Sequence, residues 1–164
     1  MHSMSGQAIA LTTLFCLAPI FELRGAIPYG MSQDLPLLFL IPFCIILNAL
    51  VGPLVYLFLT TAHRLLNRFN WYQRFFDFMV KRARVKVQTK VEKYGYLGLA
   101  LFVAVPLPIT GAYTGTLGAW VLGMDPKKTF LAVFLGVIIS ATVVTIVSYL
   151  GIEALSFFTK QVHA

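Results

Sequence analysis

The sequence predicts an all-α integral membrane protein. Two inverted repeats are expected, each a re-entrant helical hairpin plus a transmembrane helix, joined by a basic amphipathic cytoplasmic helix. Three observations predict it. First, 12% of the 164 residues are charged and 59% are hydrophobic, whereas soluble domains carry about 25% charge. Second, residues 35–59 and 129–150 contain no Asp, Glu, Lys or Arg, and each is long enough for a bilayer core, which takes about 20 residues. Third, one order occurs twice along the chain: short apolar segment, Pro/Gly break, short segment, full span. Residues 1–164 read as a single membrane domain.

The first repeat covers residues 6–60. Residues 6–20 are apolar but too short to cross, break at Pro19, and resume over 23–32. This gives a hairpin at 6–33, dipping from outside, and a span at 35–59. Pro42 and Pro53 leave carbonyls unpaired within that span, free for an ion or for Asn48. An interhelical hydrogen bond is the ordinary role of such an Asn.

Residues 61–94 follow. Nine basic residues lie between Arg64 and Lys93 against Asp77 and Glu92, which accounts for the whole net charge of +7. That bias puts the segment in the cytoplasm and fixes one orientation, against a dual-topology antiparallel dimer. Leu65, Phe69, Tyr72, Phe76, Met79, Ala83 and Val87 recur at three- and four-residue steps and predict one apolar face. Arg64, Arg68, Arg74, Lys81, Arg82 and Arg84 are the expected membrane-surface residues, beside Trp71. The end of the segment, VKVQTKV, alternates and allows an extended form.

The second repeat covers residues 95–151, with a hairpin at 96–124 broken at Pro106 and Pro108 and a span at 129–150. If 96–124 crossed once, Lys127 and Lys128 would lie opposite the basic segment. A re-entrant hairpin keeps them cytoplasmic, with both termini outside. Two extra full crossings are the alternative. The expected location is the bacterial inner (plasma) membrane, multi-pass. Two spans give little wall around two hairpins, so a homodimer or larger assembly is expected.

Cys16 and Cys44 read as small buried hydrophobes, and no ligand spacing calls for a metal or cofactor. No nucleophile–base pair appears, so an enzyme is not expected. The lipid bilayer, rather than nucleic acid, is the partner of the basic charge.

The stretch FELRGAIPYG places Glu22 and Arg24 beside Gly25, Pro28 and Gly30. A charge at membrane depth costs about 2.5–3.5 kcal/mol on insertion scales, so the two are kept for pairing or for work. In the working reading Arg24 binds an anionic group and Glu22 carries a proton. In the structural reading they form an ion pair at the hairpin tip. Residues two apart diverge on a helix, so a direct pair requires an irregular tip. Helices returning from near Leu23 and Thr110 would aim their N-termini at the midplane, where free N–H groups favour an anion. The candidate substrate or proton set is therefore Glu22, Arg24, Gly25, Pro28, Gly30, Asn48, Pro106, Pro108, Thr110, Gly111 and Thr114. Tyr113 and Thr116 add hydroxyls near the second break.

FELRGAIPYG in the first half and VPLPITGAYTGTLGAW in the second resemble the small multidrug export protein family, which is related to the DedA/VTT superfamily. The resemblance implies paired re-entrant hairpins, and proton-linked transport or movement of lipids such as polyprenyl phosphates. It makes Glu22 the acid of the first hairpin and Pro28-Tyr29-Gly30 its turn. Pro106, Pro108 and Gly111 match the second turn. The arginines that DedA proteins carry around the second hairpin are missing from VPLPITGAYTG. Either Arg24 substitutes for them, or the substrate differs. The expected function is a transporter or lipid flippase, with proton coupling allowed, that moves an anionic amphiphile such as a polyprenyl phosphate. The alternatives are a proton-coupled exporter of cationic compounds and a non-transporting membrane interaction protein.

Overall fold

The computed structural model describes residues 6–61, 68–107 and 110–162, with side chains to residue 151. Those residues form helices α1 (Gly6–Leu17), α2 (Glu22–Ser32), α3 (Leu37–Thr60), α4 (Asn70–Ala104), α5 (Ala112–Val121) and α6 (Pro126–Val162). There is no strand among them. Leu37–Thr60 and Pro126–Gly151 are long and apolar enough to cross a membrane. Their outer faces leave Leu38, Leu54, Leu57, Leu131, Ile146 and Val147 exposed, the surface expected of a protein solvated by lipid.

Local chemistry sets the element ends. α1 stops at Leu17 because Ala18 precedes Pro19, and a residue before proline is driven out of the helical region. α6 begins at Pro126, three residues before the expected 129. Asp125 accepts the Lys128 N–H at 3.0 Å through Oδ1, and proline fits the first helical position.

α4 runs through residues 85–91, so VKVQTKV is helical and not extended. The basic segment and the first arm of the second repeat are two helical stretches that meet at Gly95 (φ 58°, ψ −134°) and together make up α4. A side chain would be strained in that conformation, and Gly95 lets the chain reverse there. Arg68, Arg74, Lys81, Arg82 and Arg84 are exposed, while Arg64 and Leu65 lie outside the described residues. Part of the apolar face anticipated for the bilayer turns inward instead, while Phe69 and Met79 stay exposed. Ala83 and Val87 are buried, and the Phe76 ring meets Trp120 of α5 edge-on at 6.4 Å. The reason is that α5 offers a small residue there, with Gly118 directly against the Val87 side chain.

Within each half, the two short helical arms pack on each other and on the span of their own half: α1 with α2 and α3, α4 with α5 and α6. The halves meet where α2 packs on α6, α3 on α5, and α3 on α6. Exchanging α1, α2 and α3 for α4, α5 and α6 maps these pairings onto one another, including the α2–α3 and α5–α6 contacts.

Asn48 donates from Nδ2 to the Cys16 carbonyl at 3.1 Å, tying the last turn of α1 to α3. Cys16 and Cys44 are both fully buried in the same core. Both thiols should therefore resist a maleimide in the folded protein and react on unfolding. Mass spectrometry of labelled protein checks this, and rapid native labelling would show that α1 separates from α3.

Candidate functional site

The two breaks in the chain meet each other. At the first, the Ala18 carbonyl accepts N–H bonds from Phe21 and Glu22 at 3.2 and 3.0 Å. Glu22 then takes a positive φ of 45°, rare for a residue with a side chain. That irregularity allows what a regular helix forbids: Glu22 Oε2 lies 3.6 Å from Arg24 Nη2, two residues on. Glu22 is only 5% exposed.

At the second break, α4 ends at Ala104 and the chain turns through Val105 to Gly111 before α5. The Thr110 hydroxyl braces this turn from within, accepting the Leu107 N–H at 3.2 Å and lying 2.8 Å from the Val105 and Leu107 carbonyl oxygens. Gly111 has φ 143° and no side chain to cap α5. The cap comes from the other half. Glu22 Oε1 accepts the Tyr113 N–H at 3.4 Å.

Arg24 serves the opposite need. Its Nη1 donates to the Leu107 carbonyl and its Nη2 to the Thr110 carbonyl. The Tyr113 hydroxyl returns the favour by donating to the Leu17 carbonyl at the end of α1, at 2.5 Å. Backbone groups freed at a break inside a membrane must find partners in the protein. Here the acid supplies acceptors for bare N–H groups, and the guanidinium supplies paired donors for bare carbonyls. The anion expected at the N-terminus of α5 is thus Glu22 itself.

The remaining candidates divide. Thr110 and Gly111 belong to this junction, and Pro106 lies in its turn, half-buried. Pro108 is outside the described residues. Gly25 packs under the Phe21 side chain of its own break, and Gly30 against Leu40 of α3. Pro28 and Gly30 sit about 9 and 12 Å along α2 from Glu22 at the helical rise per residue. Thr114 is half-buried on α5, and Asn48 joins α1 to α3 as described. Among the described residues no cluster of His, Cys, Asp or Glu could hold a metal ion.

Tyr113 is the participant the candidate set lacks. Its position next to the Gly-Ala pair shared by both breaks was the available signal. Its partner, a main-chain carbonyl, leaves no mark in sequence. Thr116 and Thr129 carry buried hydroxyls with no partner among the described residues.

No curated protein and no solved structure matches the chain. A family model described as "Putative small multi-drug export protein" matches residues 22–143, a stretch that opens on Glu22, takes in the second break and runs to the middle of α6. With about three quarters of the chain matched, the second break included, the protein belongs to the small multi-drug export family.

Proposed function

We propose that the protein is a proton-coupled membrane exporter of cationic amphiphilic compounds, in which Glu22 is both the latch between the halves and the group that exchanges proton for cargo. The observation that carries this reading is the occupancy of Arg24. Its guanidinium is engaged by Glu22 and by two carbonyls, so it is poorly placed to receive an anionic cargo. Glu22 is the group whose bonds a proton can cancel. Protonation removes the charge that faces Arg24 and the N–H groups of α5, and loosens the junction. Deprotonation restores it. Opening and proton binding are then one event, which is what coupling requires.

The repeats are read as inverted and the short helical pairs as re-entrant. The exchange symmetry of the helix pairings supports this reading. So does the contact between Arg24 and Thr110, which are 86 positions apart, the same offset that separates Gly25-Ala26 from Gly111-Ala112. Equivalent residues that touch lie near a two-fold axis. In this arrangement the first arm of α4 is cytoplasmic, the chain is multi-pass in the bacterial inner membrane, and a homodimer supplies further wall around the junction.

An anionic amphiphile such as a polyprenyl phosphate is the second reading, favoured by the Arg24 side chain being 18% accessible. One experiment separates the two. Protein reconstituted in liposomes under an imposed pH gradient is assayed for efflux of a fluorescent cationic dye and for flipping of a labelled polyprenyl phosphate. Glu22→Gln should reduce dye efflux by about tenfold or more while the folded protein is still recovered. Wild-type dye efflux in folded Glu22→Gln would defeat the exporter reading. Lipid flipping that depends on Arg24 would replace it with the second.

A further inference from the structure

The first arm of α4 has a second apolar face that stands exposed among the described residues. At about 100° per residue, Trp71, Phe75, Phe78, Arg82 and Val85 fall in one narrow stripe. The four apolar members are 79%, 52%, 58% and 73% exposed. The stripe is ordered along its length. Trp71 and Phe75 stack at 6.3 Å, and the Arg82 guanidinium lies over the Phe78 ring at 5.9 Å. Phe78, Lys81, Arg82, Val85 and Lys86 line a shallow depression of about 420 Å³. Asp77 lies about 120° round the helix from Trp71, so no acid interrupts the stripe between residues 71 and 86.

We infer that this face is a docking site for anionic lipid headgroups. Exposed aromatic rings suit the boundary between headgroups and acyl chains, and cations beside them suit phosphate-bearing heads. A second copy of the chain fits less well: the same face opposed to itself would bring Arg74, Lys81, Arg82 and Lys86 against their own like charges. The site is separate from the Glu22–Arg24 junction and does not depend on how that junction works. It also differs from the face that sequence periodicity assigned to the bilayer, part of which is spent on α5.

The test uses full-length protein in detergent with Trp120→Phe, which leaves Trp71 as the one tryptophan. Quenching of Trp71 fluorescence is followed while brominated phosphatidylglycerol or brominated phosphatidylcholine is added. Each cation near an anionic surface is worth about fivefold in affinity, so the phosphatidylglycerol midpoint should lie about tenfold or more below the other. Combined Lys81→Gln, Arg82→Gln and Lys86→Gln should bring the two midpoints within about twofold. Arg84→Gln, on the far flank of the helix, should leave the preference intact. Equal midpoints in the parent protein, or a preference that survives the triple substitution, would overturn the inference. So would a Trp71 that neither lipid quenches while Trp71→Cys cross-links between copies, an outcome that assigns the face to a second copy.

Discussion

Gly111→Ala should destabilise the protein by about 3–5 kcal/mol. Two independent costs meet there. The backbone at φ 143° is available to glycine and strained for any other residue. The new Cβ would also stand 2.0 Å from Glu22 Oε2, so the carboxylate would have to leave the end of α5. Thermal unfolding in detergent, read against Gly6→Ala, checks the effect. Gly6 has open space where the methyl would go, so the control should stay within about 0.5 kcal/mol of the parent. A Gly111→Ala protein as stable as that control would mean that the carboxylate does not cap α5.

Arg24→Gln should cost a similar amount, about 3–5 kcal/mol, because it leaves Glu22 buried without its cation and two carbonyls without donors. Arg24→Lys tests the geometry separately. An ammonium keeps the charge but lacks the planar fork that reaches Leu107 and Thr110 together. It should recover part of the loss and no more. Full recovery by lysine would reduce the role of Arg24 to charge alone.

Much of the fold was legible because lipid makes a simple demand on sequence. Two charge-free runs became α3 and α6, and prolines at 19 and 106 marked where helices end. The site was legible by residue type and less so by role. Glu22 and Arg24 stood out because charge is costly in that setting. Their partners are main-chain groups of the other half, which any sequence supplies, so nothing pointed to the Leu107 carbonyl or the Tyr113 N–H. At the N-terminus of α5, where an anionic cargo was expected, the acceptor in the structure is Glu22 of the same chain.

The apolar periodicity of the basic segment was also sound, but periodicity does not say what a face touches. Phe76 and Val87 went to α5, Val87 because Gly118 there allows close approach. The Trp71–Val85 stripe, interrupted by Arg82, kept too few apolar residues at regular steps to stand out. Lys127 and Lys128 were weighed as topology markers. Locally, Asp125 and Pro126 decide where α6 starts, drawing the Lys128 N–H into the first turn.

The account rests on Glu22 and Arg24 acting together to join the two halves. The most direct measurement is a double-mutant cycle in stability, with Glu22→Gln, Arg24→Gln and the combined variant. Residues that share one network should couple by about 1–3 kcal/mol, so the double variant should lose less than the two single losses added together. Strictly additive losses, or single variants as stable as the parent, would contradict the account and leave the two breaks held together by packing alone.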